Sequence, residues 1–575
     1  MEERRLLLAV ALSLLVLTAY QLMFPPPPAR RGAPGPDAGP TPPASEAPGA
    51  TPASEPAAAE PAGEGPVAAP EPSEARIAAE RERRIEIATQ DLEIALTNRG
   101  GELLSWRLLR YLDSRGRPEE MVQTLQGLPL PLSIETGDAT LDQRISEGLF
   151  ESEARDRIQL AASGESTLRF TFAEGDLRVE KTLRIPGEGY LIGINAQVEY
   201  QGRKVPTRLL WGPGVSNPSE AEREVQGYLE PRAVLMTRDA EVERHDADDL
   251  DEGREFADVR WGGVASTWFA AIWLPAGGTG SFVARAEEVP TDGSPRLAPL
   301  AGFAYPAGGA EGQLYVGPKD YFILRGLNRG LARVVDVGDW IGGIVVPLMR
   351  LLRWVYGHVG NYGWSIVVLT VLINLAMAPL RHISISNGAK MAKLAPEMRV
   401  IQERYRKVPA LDPRRQEMQK EVAALYARHG MSMSSQLTVG CLPLLLTMPF
   451  LIGFYRVLQI FIELRGSEFF WIPDLSQKDP LFLTPLLMGA SMVAMQKMTP
   501  STLEPAQQRM MMIMPLVFVG MFLWAPSGLN LYWLSSNVCS LVQQGVTLRI
   551  VRAREKPSPK ASGGKGAKAK EKRLK

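Results

Sequence analysis

The sequence predicts a membrane α-helical bundle of six spans, five of them in a C-terminal core, joined to an all-β sandwich domain. Three patterns carry that reading. An apolar run fills residues 6–24, and five more apolar stretches lie near 363–380, 437–458, 481–498, 510–525 and 529–548. Between the first stretch and the rest, many short segments alternate apolar and polar residues with period two, as half-buried strands do. At 575 residues, the chain is too long for one compact domain.

The N-terminal element, residues 1–24, reads as an uncleaved signal anchor. Arg4 and Arg5 precede the apolar run, and Pro25, Pro26, Pro27 and Pro28 follow it where a cleavable leader would carry small residues. The run is long enough to cross about 30 Å of hydrocarbon. Residues 25–83 are rich in Pro, Ala, Gly, Ser and Glu. Such a segment buries too little surface to offset its ordering entropy, so a disordered linker is expected.

Residues 84–325 carry the alternating runs, including 85–88, 92–96, 167–172, 177–185 and 191–200. Turn-forming stretches such as Asn98-Arg99-Gly100-Gly101 and Pro186-Gly187-Glu188-Gly189 separate them. An antiparallel β-sandwich follows. In region 326–358, Trp340, Ile344, Leu348, Leu351, Leu352 and Val355 recur at helical spacing, with Arg350 and Arg353 off that stripe. This predicts an amphipathic helix lying along the membrane surface.

Residues 359–548 hold the five-span core. Its long loop, 381–435, reads as a helical hairpin. Met391, Leu394, Met398, Ile401 and Tyr405 form one apolar stripe, and Met418, Val422 and Leu425 form another. Asp412 and Pro413 suit the start of the second helix. The loop carries eleven Lys and Arg against five acids, and the tail 549–575 is almost wholly basic. By the positive-inside rule the loop, the tail and the N-terminus are cytoplasmic, and the β-domain is periplasmic.

Composition excludes several functions. Lys+Arg and Asp+Glu both total 64, so the overall charge gives no hint of nucleic-acid binding. The four histidines, His245, His358, His382 and His429, fall in separate regions, and Cys441 and Cys539 lie in apolar runs without metal-ligand spacing. The acidic run 245–252 lacks the spacing and glycine of a calcium loop. Neither a phosphate-cradling loop nor a nucleophile elbow is present. No catalytic residue, cofactor or metal is expected.

The polar residues inside the apolar stretches are more informative. Thr370 and Asn374 sit one helical turn apart, and Gln436, Asn530, Ser535, Ser536, Asn537, Gln543 and Gln544 mark other spans. Facing lipid tails they would be costly, so they face other helices or a wet cavity. Ordinary interhelical hydrogen bonding is the plainer reading and a substrate groove the functional one. Met510, Met511, Met512 and Met514 form a pliant apolar patch, which plain span filling also explains.

Several ordered motifs then carry a family resemblance. They are Gly360-Asn361-Tyr362-Gly363-Trp364-Ser365-Ile366, Met377-Ala378-Pro379-Leu380 and Gly440-Cys441-Leu442-Pro443. Farther on come Trp471-Ile472-Pro473-Asp474, Gln496-Lys497-Met498 and Pro526-Ser527-Gly528-Leu529. Together they resemble the core of the YidC insertases, within the wider Oxa-type insertase family, and the β-domain resembles the periplasmic domain of Gram-negative members. The resemblance implies a non-enzymatic inner-membrane insertase and folding chaperone, with a hydrophilic groove open to cytoplasm and lipid. Nascent membrane proteins and the bilayer would be its partners, with the Sec translocon and, through the basic hairpin and tail, the ribosome. Carried over by motif, the groove residues are Thr370, Asn374, Tyr532 and Trp533. Bacterial members of the family usually place an arginine where Asn374 stands. Arg381, seven residues on, is expected to supply a groove-mouth charge in its stead. A small-solute transporter or channel and a membrane-anchored carbohydrate-binding protein are the alternative readings.

Overall fold

The computed structural model describes residues 76–123, 128–250, 252–290, 296–338, 340–405, 408, 412–429, 448–499 and 505–555. The signal anchor at 1–24, most of the linker, Gln436, Cys441 and the tail beyond 555 lie outside the described residues.

The β-rich domain contains two sheets. In the smaller, Pro118–Glu120, Leu103–Leu112, Leu92–Thr97 and Arg84–Ala88 pair antiparallel in that order, and Arg157–Gln159 joins Arg84–Ala88 in parallel. The larger has thirteen strands. At one edge Glu165–Glu174, Leu177–Pro186 and Leu191–Tyr200 form a meander. Gly175, at φ +59°, opens the two-residue turn of its first hairpin, where a side chain would be strained. Alternation holds along Leu177–Pro186, whose odd-numbered residues are all buried. One inward position, Lys181, is a lysine. Its ammonium donates to the carbonyls of Gly100, Gly101 and Leu132 at 2.8–3.0 Å, which satisfies all three of its donors.

The predicted sandwich is therefore refined into a five-stranded sheet beside a far larger one. Both sheets contribute to one hydrophobic core, from Ile87 and Trp106 in the smaller to Phe170, Trp261 and Trp273 in the larger. A twisted sheet of that many strands curls rather than lying flat.

The C-terminal half is helical. Its elements are α1 (Gly342–Val359), α2 (Tyr362–Ala376), α3 (Ala378–Lys393), α4 (Ala395–Arg404), α5 (Arg414–Arg428), α6 (Met448–Ile460), α7 (Leu483–Met498), α8 (Pro505–Phe522) and α9 (Ser527–Glu555). Among the described residues no single helix is long and apolar enough to cross a membrane, although α1 and α2, bent by 119° at their junction, meet that requirement as a pair. Helix α9 illustrates why. Its 29 residues would reach about 43 Å, but Ser, Asn and Gln interrupt its apolar surface.

Helix α1 differs from expectation in its buried face. Val345, Leu348, Met349, Leu352 and Val355 are buried. Leu351 is 37% exposed, and Trp340, which precedes the helix, is 63% exposed. The true stripe follows the 3–4 spacing from Val345, and Trp340 and Leu351 fall outside it.

In the hairpin region, Leu394 and Met398 pack on Leu425 and Tyr426, flanked by Met391, Ile401 and Val422. Asp412 accepts the backbone N–H of Arg414 at 2.9 Å. Tyr405 lies off this cluster and donates its hydroxyl to Glu421.

The β-rich domain and the helices share the larger core, which runs from Trp261 through Val345 and Leu352 to Ile366, Phe454 and Leu529. Polar locks reinforce the junction. Arg465 pairs with Glu119 and Glu222, each at 2.8 Å. Arg353 pairs with Asp320 at 2.9 Å and also with Glu463. The Gln226 N–H donates to the Trp524 carbonyl at 3.0 Å.

Candidate functional site

Helix α9 is the axis of the site because it carries two polar stripes. The first holds Ser536, Ser540, Gln543 and Thr547, spaced by three and four so that they stack on one face. It meets α2 and α3. The Asn374 side-chain amide donates to the Thr370 carbonyl at 2.8 Å and reaches Ser536 Oγ at 3.5 Å. Gln543 Nε2 donates to the Asn374 carbonyl at 2.9 Å. Arg381 donates to Ser540 Oγ, and His382 Nδ1 lies 3.1 Å from Thr547 Oγ1.

The second stripe, Asn530, Asn537 and Gln544, repeats every seven residues. Asn537 donates to Ser491 Oγ of α7 at 2.9 Å, and Gln544 donates to Thr499 Oγ1 at 3.0 Å. Asn530 donates to the Phe522 carbonyl at 3.2 Å. These bonds tie α9 to its neighbours. Helix α7 in turn packs closely on α8: a Cβ at Gly489 would stand 2.2 Å from Val519 Cγ2.

Both stripes leave buried oxygens unspent, Asn530 Oδ1 on the second among them, but only the first does so beside a cation. Asn374 Oδ1 and Gln543 Oε1 are buried and have no hydrogen-bond partner. A buried acceptor left in that state costs about 1–3 kcal/mol. Arg381 is half-buried and has no carboxylate partner among the described residues. The seam therefore holds one uncompensated cation and two unspent amide acceptors within two turns of helix.

Of the residues expected at the site, Thr370 and Asn374 are both buried on α2, where Thr370 donates its hydroxyl to the Ile366 carbonyl at 2.7 Å. Tyr532 is buried and stacks on Phe454 of α6 with ring centroids 4.2 Å apart. It also lies within electrostatic range of Arg381. Trp533 is placed apart from these four. Its ring packs edge-on against Phe518 and Phe522 of α8, at 5.9 and 4.9 Å. Sequence reasoning missed Ser540, His382 and Thr547. Ser540 was findable, standing one turn beyond Ser536 and directly opposite Arg381. His382 and Thr547 carried no comparable signal.

Aromatic contacts mark the opposite end of α2 from Asn374. Trp364 meets Phe469 and Phe470 edge-on at 5.5 and 5.8 Å. Gly363 is required there, since a Cβ would fall 2.1 Å from the Phe469 ring. Ser527 and Gly528 bond back to the carbonyls of Gln477 and Leu475. The motifs near 363, 470 and 527, far apart in the chain, are thus linked through the 469–477 segment.

Comparison with known proteins agrees with this architecture. The family model described as 60Kd inner membrane protein matches residues 354–555, and that of the YidC periplasmic domain matches 84–351. A membrane protein insertase YidC of Syntrophus aciditrophicus (strain SB) is 33% identical over 479 residues, covering 81% of this chain and 85% of that one. Its counterpart in Geobacter metallireducens is 32% identical over 572 residues, covering 96% and 99%. A solved structure of an active YidC insertase with its first transmembrane domain resolved is 17% identical, covering 82% of this chain and 93% of that one, with a TM-score of 0.35. Coverage and identity to the sequence relatives, with both family models in register on the two halves of the fold, establish that the chain belongs to the YidC family of inner-membrane protein insertases.

Proposed function

We propose that this protein inserts and folds nascent membrane proteins through the seam between α2, α3 and α9. The observation that carries the reading is the pair of buried, unpaired amide oxygens on Asn374 and Gln543 beside the acid-free Arg381. Groups of this kind are stable only when water or a client's own polar groups meet them. A hydrophilic client segment crossing hydrocarbon has the converse problem, because each unpaired backbone group costs several kcal/mol. A polar recess among the helices hydrates the segment partway and shortens the dry path. The client's apolar helix then leaves sideways into lipid, and no bond is made or broken.

In this reading six spans cross the inner membrane, with both termini and the basic hairpin cytoplasmic and the β-rich domain periplasmic. The aromatic cluster at Trp364, Phe469 and Phe470 lies toward the periplasmic end. Arg381 holds the charge that the family usually places at the Asn374 position. Tyr532 and Thr370 line the same side, and Trp533 borders the bundle toward α8. The basic hairpin and tail suit contact with ribosomal RNA, and the Sec translocon is a second partner.

Photocrosslinking tests this directly. A crosslinking residue at position 370, 374 or 381 should capture a stalled nascent membrane protein, and one at the outward-facing Val538 should capture far less. Equal capture from 374 and 538 would reject the seam as the client path.

A further inference from the structure

A concentration of unspent donors lies where the β-rich domain meets α6. Arg232 and Arg244 share one face of a two-stranded ribbon, since Val234 pairs with Arg244. Lys319 directly follows the strand Ala310–Pro318, and its backbone N–H donates to the Trp268 carbonyl. Arg456 projects from α6. The four lie close enough to act on one another, and Asp336 is the carboxylate common to them. Cations outnumber acids even when Asp246 is added.

Their hydrogen bonding is incomplete in a specific way. Arg456 is satisfied by Asp336, through its carbonyl at 2.9 Å and its carboxylate at 2.6 Å. Arg244 donates to the Arg333 carbonyl at 3.0 Å. Arg232 has no hydrogen-bond acceptor among the described residues. Its side chain is 21% exposed, and its ion pair is Asp246 at 4.0 Å, a carboxylate 75% exposed. Lys319 is 8% exposed, and among the described residues its ammonium donates only to the Ser266 carbonyl. Two further ammonium N–H groups and a five-donor guanidinium are thus left without acceptors among the described residues. Burial and the three neighbouring guanidiniums push the Lys319 ammonium down to about 7, the direction expected where positive charge is uncompensated.

We propose that Arg232 and Lys319, flanked by Arg244 and Arg456, bind a phosphate group, supplied by the headgroup of an anionic phospholipid in the periplasmic leaflet. A phosphodiester offers the acceptor oxygens and negative charge that this cluster lacks, and guanidinium suits it geometrically. The membrane supplies the source. Arg456 belongs to an apolar helix of the core, and Trp340, four residues beyond Asp336, is among the most exposed large apolar side chains, as at a bilayer interface. A bound headgroup would tie the β-rich domain, α6 and the approach to α1 together.

The test uses the full chain purified in detergent. Native mass spectrometry in an equimolar mixture of phosphatidylglycerol and phosphatidylcholine should show preferential retention of phosphatidylglycerol. Titrated phosphatidylglycerol should raise the melting temperature saturably. In the double variant Arg232→Gln, Lys319→Gln, apparent affinity should fall about tenfold or more, the loss expected for two charge-assisted contacts. The exposed Arg238→Gln variant should match the unsubstituted protein. Stabilisation by inorganic phosphate without preference for phosphatidylglycerol would reject the lipid as source. No preference and no stabilisation by either probe in the unsubstituted chain would overturn the site, whatever the variants do.

Discussion

Replacing Arg465 by methionine should loosen the β-rich domain from the helices, and the size of the effect follows from its surroundings. Its side chain is 6% exposed, between Glu119 and Glu222, which are as deeply buried. It also donates to the Leu112 carbonyl at 2.7 Å, and its guanidinium lies 5.2 Å from the centre of the Phe269 ring. Methionine preserves much of the packing but leaves two like charges facing each other away from water. Breaking a buried pair in this way costs about 3–5 kcal/mol. For a domain of this size about 1 kcal/mol moves the midpoint by roughly 2–4 °C, so the midpoint should fall by roughly 6–20 °C. Scanning fluorimetry of the full chain in detergent reads this. Hydrogen exchange should accelerate at residues 112–120 and 219–224, on either side of the lock. Adding Glu119→Gln and Glu222→Gln should restore at least half of the loss, because the stranded charges are then gone. Lowering the pH should narrow the deficit as well, since burial already pushes Glu119 up. A midpoint for Arg465→Met within about 2 °C of the unsubstituted protein would refute the claim that this triad locks the junction.

Three further outcomes are expected. Arg381→Ala should slow insertion of clients with acidic translocated segments, while Arg381→Lys keeps most of the rate; unchanged insertion of acidic-tailed clients in a proteoliposome assay would remove Arg381 from the mechanism. Gly489→Ala should force α7 from α8 at Val519 and destabilise the core by about 1–3 kcal/mol, read as a lower thermal midpoint. Glu463 shares one guanidinium with Asp320, and burial pushes its carboxyl up to about 7 from 4.5. The folded state therefore keeps a proton that the unfolded chain releases, so this stabilisation is complete below pH 4.5 and is lost as pH rises through about 7. Midpoints measured from pH 5 to 8 should decline, and Glu463→Gln should flatten that slope.

Much of this molecule was legible from residue order alone. Period-two alternation located the strands from Glu165 to Tyr200, because one face of each is buried and the pleat sends neighbours to opposite sides. The spacing of Met391, Leu394, Met398 and Leu425 found the hairpin's contact, and the i, i+4 pair Thr370 and Asn374 marked the seam, because helical geometry alone puts such residues on one face. Local periodicity could not decide which partners those faces would meet. Trp533 follows Tyr532 in the chain, yet one residue is about 100° around a helix, so the two rings turn to different neighbours. The ion triads at Arg465 and Arg353, the aromatic contacts around Phe469 and the cluster at Arg232 and Lys319 join residues from up to several hundred positions apart. Such contacts depend on where whole elements dock, and only the packed tertiary structure fixes that.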